Sequence, residues 1–481
     1  MTLPALWTVS RMASAMKAER AGTLPETVHG LSIDSRTITA GEAFFALAGE
    51  RTDGHAYVAG AIEKGAGLAV VAADRRAEMP ADAPLLVVPD VLDALRDLAV
   101  ASRARSRAKI IGITGSVGKT STKEALQLAL RANGETHASA ASFNNHFGVP
   151  LSLARMTETA RYGVFEIGMN HPGEITPLVN LVRPHVAIVT TVAPVHLEFF
   201  DSLNAIADAK AEIFAGVVPG GVAILNRDNP YFARLKRRAG AAGIDRIIAF
   251  GEHAESEARL IKCVLHPDSS TVEAEILGIK VDYRIGAPGR HLVLNSLAVL
   301  AAASVVGADL ALAALALANQ VPAPGRGTRI SLDAPGGSSL LIDESYNANP
   351  NSMRAALSLL GQAPVGPRGR RIAVLGDMLE LGQAGVELHR AIAGQVKEYG
   401  IDLVFCAGPL MAALWDALPA NRRGAHAATA EELEATVLDA VRGGDALMVK
   451  GSNGSRMGPI VKSLTRRFAP QHGRNNLPAQ G

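Results

Sequence analysis

The sequence predicts an α/β protein of three domains, on three observations. Its 481 residues exceed what one hydrophobic core ordinarily fills. From Ile110 onward, short apolar runs alternate with helical stretches, the pattern of a mainly parallel sheet with covering helices. A stretch dense in proline and glycine, Val321-Pro-Ala-Pro-Gly-Arg-Gly327, breaks that pattern in two. The expected boundaries are 1–107 for a small α/β N-terminal domain, 108–327 for a central parallel-sheet domain and 328–470 for a C-terminal α/β domain. The polar tail 471–481 is expected to be disordered.

Composition narrows the function classes. Lys+Arg 48 against Asp+Glu 46 leaves a formal charge of +2, so no global basic field points to nucleic acid. Aromatic residues make up 4%, which argues further against a base-stacking surface. Cys263 and Cys406 are too few for a disulfide framework or a cysteine-held zinc, and a reducing compartment fits them. The opening segment has no continuous apolar core of a signal peptide and reads as a modest amphipathic helix. Leu297 to Ala318 is long enough to span a bilayer, but it is alanine-rich and Gly307-Ala-Asp309 interrupts it, so two short helices are expected. A cytoplasmic location without membrane insertion is the expectation.

In the first domain, Val28 to Ile33, Ala43 to Leu47, Ala69 to Val71 and Leu85 to Val88 read as strands. The basic run Arg103 to Lys109 reads as a solvated hinge. The central domain begins with KIIGIT, residues 109–114, a short buried strand; Thr120 onward reads as an amphipathic helix with Ala125, Leu126 and Leu130 on one face. Between them lies Thr114-Gly-Ser-Val-Gly-Lys119-Thr120. The usual phosphate-loop spacing asks for glycine five residues before Gly118, where this chain has Ile113. Even so, strand, glycine turn and helix together aim backbone N–H groups and the positive helix end at an anion. Gly115 and Gly118 permit a tight turn and close approach to phosphate oxygens. Lys119 would reach the β- and γ-phosphates and the Thr120 hydroxyl would meet Mg²⁺. The central domain is therefore expected to be a phosphate-loop ATPase-type unit. YGVFEIG, HVAIVTTV, GGVAILN and RIIAFG continue its sheet; SLLIDES, RRIAVLG, DLVFCAG and ALMVKGS build the third domain, Rossmann-like in pattern but without G-x-G-x-x-G.

Other polar groups sit at predicted strand ends, where open parallel sheets place ligands. Glu166 and His196 can each bind a hard cation, though either type at a strand end is more often a capping or surface group. Lys210, on the helix after His196, reads most simply as pairing with solvent or a neighbour such as Glu212. If desolvated, its amine would be neutral and able to add CO₂ as a carbamate. Asp343 and Asn347 stand where a site facing the central domain needs polar groups, whereas Asn349-Pro350 and Ser352 fit an ordinary helix start. The loop KGSNGSRMG, 450–458, offers donors at Lys450, Ser452 and Arg456.

Taken together these segments resemble the Mur ligase family, ATP-dependent amide-forming enzymes of peptidoglycan precursor synthesis, over residues 25 to 465. Its phosphate loop is T-G-x-x-G-K-[ST], which Thr114, Gly115, Ser116, Val117, Gly118, Lys119 and Thr120 match. The DESYNANP, LGDMLELG and KGSNGSRM segments resemble the branch that adds D-alanyl-D-alanine to UDP-N-acetylmuramoyl-tripeptide. A diamino-acid-adding relative would carry a D-N-P-R-like signature where this chain reads SYNANPNS. The resemblance implies ATP and Mg²⁺ as cofactors, and an acyl phosphate intermediate. It puts Thr120, Glu166, His196 and Lys210 at the metal, with Lys210 as a carbamylated lysine, and makes Lys119, Lys210 and His196 catalytic. Asn295, accompanied by His291, falls near adenine, and Arg326 and Asp343 fall at the ATP site. Ser35 and Arg36 fall with the UDP-substrate residues; Asn144 and Asn145, assigned with them, match an asparagine segment near the nucleotide. A monomer is expected. From another class, a nucleotide-binding switch that makes no amide bond would share the loop but release no ADP in response to substrate.

Overall fold

Buried runs of valine, isoleucine, leucine and alanine form three main sheets, one in each unit of the chain. The computed structural model describes residues 4–49, 52–140, 142–195, 197–322 and 324–469. The polar tail read as disordered lies outside the described residues.

The first unit contains β1 Trp7–Thr8, β2 Glu19–Ala21, β3 Thr27–Val28, β4 Gly30–Ser32, β5 Glu42–Phe45, β6 Leu68–Ala72 and β7 Leu85–Val88. Its sheet has the order β2-β7-β6-β5-β4, parallel except for β2, while β1 and β3 pair separately. The amphipathic segment near the start becomes the helix Val9–Met16, with Val9, Met12, Ala13 and Met16 turned inward and Thr8 capping its first turn.

The central unit contains β8 Lys109–Thr114, β9 Thr136–Ala138, β10 Tyr162–Glu166, β11 Val186–Val189, β12 Val222–Asn226, β13 Arg246–Gly251, β14 Ala258–Leu265, β15 Ser270–Ile276 and β16 Ile279–Ile285. Their order is β16-β15-β14-β13-β12-β11-β8-β10-β9. The parallel strands are those the sequence shows as continuous apolar runs, because helices cover both faces. The antiparallel β14–β16 extension was not anticipated: its alternating charged residues (Lys262, Glu273, Glu275, Lys280, Asp282, Arg284) hide the strands from a search for solid apolar runs. Leu297 to Ala318 resolves into parts of two helices, Arg290–Val305 and Leu310–Ala316, broken where Gly307 takes a positive φ and Asp309 caps the second. Among the described residues no helix is long and apolar enough to cross a membrane.

In the third unit, β17 Thr328–Ala334, β18 Gly337–Glu344, β19 Arg371–Gly376, β20 Leu403–Ala407, β21 Arg423–Ala427 and β22 Ala446–Lys450 take the order β17-β18-β22-β19-β20-β21. The last strand of the chain thus inserts between β18 and β19. The strand order reverses there, which opens a crevice beyond the carboxyl ends of β18, β22 and β19.

The basic run Arg103 to Lys109 is not a solvated hinge. The helix Val91–Arg105 carries Arg103 and Arg105 into the junction of the first two units. Arg103 donates to the Val182 and Arg183 carbonyls at 2.9 Å, and Arg105 lies 3.4 Å over the Trp7 ring. Trp7 in turn donates its indole N–H to Ala154 O at 2.9 Å, and Arg155 Nε donates to Leu31 O at 2.8 Å. Long guanidinium side chains satisfy buried carbonyls while their stems cover apolar surface, so they serve as clasps here.

Two histidines are built into the central core. His137 Nε2 lies 2.7 Å from Ser152 O, and His185 Nδ1 accepts from Ile110 N at 2.9 Å. Burial pushes both imidazoles down to about 4. An unfolded histidine titrates near 6.5, so between about 6.5 and 4 the unfolded chain binds protons that the folded chain refuses. Their stability contribution is complete above pH 6.5 and is lost as pH falls toward 4. Urea midpoints should hold steady above about pH 7 and drop between about 6.5 and 5. A midpoint that stays flat through that window would show the rings to be freely protonated in the folded protein.

Candidate active site

The phosphate-like loop lies where β8 gives way to the helix Lys119–Arg131. Gly115 has φ 152° and Gly118 φ 85°, and each glycine is also required by contact. A Cβ on Gly115 would fall 1.9 Å from Thr190 Oγ1, and one on Gly118 would fall 2.6 Å from Asn295 Nδ2. Thr190 itself donates to Val117 O at 2.6 Å, and Ser116 Oγ donates to Ala193 O at 3.0 Å. The loop is thereby tied to the end of the neighbouring strand β11. Lys119 Nζ turns back onto Gly115 O at 2.7 Å. Burial lowers the Lys119 ammonium; Glu166 opposes that shift and Arg326 adds to it.

Glu166 ends β10 at 1% exposure. It accepts from Thr120 Oγ1 at 2.9 Å and from Asn144 Nδ2 at 2.7 Å. Both partners are neutral, and no ion pair to the carboxylate occurs among the described residues, with Lys119 within electrostatic reach. That is an environment in which a cation is stabilised. The donors are oxygens of the kind a hard divalent ion takes. No cluster of three His, Cys, Asp or Glu residues occurs among the described residues, so a metal here would draw further oxygens from substrate or from another group.

Lys210 lies on the helix Leu203–Ala211 at 2% exposure. Burial first, and the nearby Lys119 second, push its ammonium well below the ordinary lysine range. The reading that pairs it with Glu212 does not hold. Glu212 instead accepts from the backbone N–H groups of Gly173, Ile175 and Thr176 at 2.7, 3.2 and 3.1 Å. A carboxylate at the start of the helix Ile175–Val182 meets its positive end, which outcompetes a single buried amine.

The phosphate loop and Glu166 border a cavity of about 730 Å³ at the junction of the central and third units, and Lys210 is not among its described lining residues. Ser116 to Ser121, Asn144, Glu166, Thr190, His291 and Asn295 come from the central unit. Arg326 joins them from the connecting segment, with its guanidinium 4.1 Å over the Tyr346 ring. The third unit supplies Glu344, Asn347, Leu379, Leu381, Lys450 and Ser452. Thr114 and Asp343 lie behind the lining. Asp343 fixes the connection, accepting from Gly325 N at 3.1 Å and Ser345 Oγ at 2.6 Å. Lys450, 1% exposed, donates to Glu344 Oε2 and Asn347 O, both at 3.0 Å.

Several anticipated residues stand elsewhere. His196 lies outside the described residues. Ser35 and Arg36 belong to the loop after β4, not to this cavity; Arg36 clamps Asp34 at 2.7 and 2.9 Å and holds that carboxyl down to about 2. Asn145 does not line the cavity but accepts from Gly148 N at 2.9 Å, starting the helix Gly148–Ala154. Arg456 is exposed at a left-handed φ of 53° and is absent from the lining, so of the 450–458 donors Lys450 and Ser452 remain. Asn349 and Ser352 form a reciprocal cap for the helix Pro350–Gly361, as the plain reading holds, and also reach the cavity. Thr190, Glu344 and Tyr346 were missed. The Thr190-Thr191 pair closing an apolar strand was the available signal for the first.

A glycine turn with Gly-Lys-Thr at the carboxyl edge of a parallel sheet, beside a buried carboxylate, defines a phosphate-loop α/β protein of the nucleotide-binding class. The chain matches the family models described as "Mur ligase family, catalytic domain" over 27–103, "Mur ligase middle domain" over 113–303 and "Mur ligase, glutamate ligase domain" over 326–453. It is 35% identical over 459 residues to the UDP-N-acetylmuramoyl-tripeptide–D-alanyl-D-alanine ligase of Escherichia coli (strain K12), covering 95% of this chain and 98% of that protein. Identity to the ligase of the same name from Rickettsia prowazekii is 32%, covering 95% and 99%. A crystal structure of MurF from Acinetobacter baumannii superposes with a TM-score of 0.82 at 30% identity, covering 97% of this chain and all of that one. The chain belongs to the Mur ligase family.

The crowding around Gly115 yields a test. Gly115→Ala would drive a methyl group into Thr190 in a backbone conformation that suits glycine, an overpacking cost of about 1–3 kcal/mol. The denaturation midpoint should fall accordingly, and titration with a fluorescent ATP analogue should show weakened binding. Wild-type stability and binding in this variant would mean that the loop is not held against Thr190.

Proposed function

We propose that this chain is an ATP-dependent ligase that joins D-alanyl-D-alanine to UDP-N-acetylmuramoyl-tripeptide. The observation that carries the reading is the full-length similarity to ligases of that name, whose domains here frame one cavity containing the phosphate loop. The tripeptide's terminal carboxylate attacks the γ-phosphorus of ATP; the bond to the bridging oxygen breaks, leaving ADP and an acyl phosphate. The dipeptide amine then attacks the acyl carbon through a tetrahedral intermediate, loses its proton and expels phosphate.

The residues of this chain act mainly by charge and alignment. Lys119, released from Gly115 O, moves its ammonium onto the transferring phosphoryl oxygens, while the loop N–H groups hold the phosphates. Asn295 and Arg326 bind the nucleotide, Arg326 stacking on Tyr346 so that its charge stays at the junction, and Asp343 holds the connection that carries it. Ser35 and Arg36 bind the UDP end. Thr120 and Glu166, with His196, would hold Mg²⁺, which when bound offsets charge on the phosphate oxygens. Asn144 orients Glu166 for that task. Lys210 fits a carbamate: its amine is buried, depressed and free of any hydrogen bond or ion pair among the described residues. The neutral nitrogen would attack CO₂, forming an N–C bond and releasing a proton, and so place an anion beside Lys119.

Two outcomes follow. Purified protein given UDP-N-acetylmuramoyl-tripeptide, ATP and Mg²⁺ should release ADP with D-Ala-D-Ala and prefer it by up to roughly 10⁴-fold over meso-diaminopimelate, L-lysine or glutamate. Lys119→Ala should cut kcat by roughly 10²–10³ or more with little change in the unfolding midpoint. ADP release without dependence on any amine would favour a nucleotide switch, and preference for a single amino acid would leave only the general ligase reading.

Lys210→Ala should be nearly inactive and should recover part of its activity with formate or acetate, which supply carboxylate oxygens in place of the carbamate. Incorporation of ¹³CO₂ at Lys210 in the wild-type protein gives an independent readout. No label and no rescue would remove the carbamate from the mechanism.

A further inference from the structure

We propose that Ser452 is a positioning residue that sets the wall of the cavity facing the incoming amine. It lies at the end of β22, the strand inserted between β18 and β19, and it touches the loops that follow both neighbours. Its backbone N–H donates to Asp377 O at 3.0 Å, after β19. Its hydroxyl accepts from Leu379 N at 2.9 Å in the same loop and donates to Ala348 O at 3.3 Å in the loop after β18. Its carbonyl accepts from Ser455 N at 2.9 Å and Ser455 Oγ at 2.6 Å, which closes its own loop. At 5% exposure it has little water to replace those partners. One side chain therefore sets the mutual spacing of three loops, each of which lines the cavity.

Among the described residues Leu379 N, in the loop after β19, has no other hydrogen-bond partner. Its flanks are held rigidly: Asp377 carboxylate oxygens accept from Met411 N at 2.9 Å and Leu410 N at 3.3 Å, and Met378 N donates to the buried His389 Nε2 at 2.9 Å. Between these anchors and the next turn, Leu379 and Leu381 face the cavity and Leu379 packs so closely on Gly454 that a Cβ there would lie 2.7 Å from its Cδ1. Across the gap are Asn347, Asn349 and Asn351 from the loop and helix after β18. Glu380, between the two leucines, lines the same wall, and with it the small apolar surface and uncharged amides suit a short peptide with methyl side chains and a terminal ammonium. Since the phosphate loop, Lys119 and Arg326 occupy the nucleotide side, an amine must approach the acyl carbon from this wall. Its alignment then depends on the loops that Ser452 joins, and a displacement on the order of 1 Å can cost roughly 10²-fold in rate.

This assignment rests on the ligase reading above, and the test separates the two. In Ser452→Ala the backbone bond to Asp377 survives while both hydroxyl bonds are lost. Amide hydrogen exchange in the 377–381 segment should rise, whatever reaction the protein performs. KM for D-Ala-D-Ala should rise roughly tenfold or more while KM for ATP stays close to wild type. Ser452→Cys, which keeps the size but accepts weakly, should fall between the two and decides the matter if the alanine variant does not fold. Unchanged exchange at 377–381, an unchanged dipeptide KM, or an equal rise in KM for all substrates with a lowered midpoint would overturn the positioning role. Wild-type protein that makes no product from D-Ala-D-Ala, with exchange still raised in the variant, would overturn the ligase reading and leave Ser452 as a loop anchor.

Discussion

Buried charge organises this molecule. Lys210 is buried near the half-buried Lys119, and the buried carboxylate Glu166 lies within electrostatic reach of Lys119. Desolvation disfavours each ammonium and holds Lys210 toward its neutral form, while Arg326 adds a cation within electrostatic reach of Lys119. Among the described residues the Lys119 charge is answered by Glu166 and by the Gly115 carbonyl. An anion such as a polyphosphate or carboxylate would relieve the cost of that charge.

The three sheets matter because of where their carboxyl edges meet. β8 and β10 bring the phosphate loop and Glu166 together through direct parallel pairing, with Glu166 in register with Ile113. β11 adds Thr190 on the other side of β8. In the third unit the insertion of β22 between β18 and β19 aligns Lys450 with Glu344 and places Ser452 between their loops. Arg103, Arg105, Arg155 and Trp7 clasp the first unit to the central one. The junction with the third unit is lighter: Leu197 packs on the cores of both, and Glu198 N reaches Glu380 O at 3.4 Å.

What was legible in the sequence followed from local rules. Parallel strands buried on both faces show as solid apolar runs, and the Gly-Lys-Thr turn is fixed by its own backbone needs, so β8, β10, β11, β12 and the phosphate loop could be read directly. Edge structure could not, because β14–β16 and β21 alternate polar with apolar residues, as at an exposed edge. Arginine roles were the least legible. Arg103 and Arg105 look like a solvated run until the carbonyls of Val182, Arg183, Leu6 and Met156 are brought to them from distant segments. Arg456 looks like a donor in a glycine loop until its left-handed backbone turns it outward. Glu212 and Lys210 are two residues apart, yet helix geometry sends one to a helix start and the other into the core, since neighbours at that spacing do not share a face.

Arg326 shows why the cavity requires more than one unit. It lies on the segment joining the central and third units, stacks on Tyr346 of the third and reaches Ser142 of the central unit at 3.4 Å. Its charge adds to the cost of the Lys119 ammonium across the junction of the two units. On the ligase reading, phosphates placed between them would attract Lys119 and Arg326 together and reverse that sign. The same electrostatic effect would then draw the third unit, with the loops joined by Ser452, toward the phosphate loop, so that nucleotide binding would favour assembly of the wall that faces the amine.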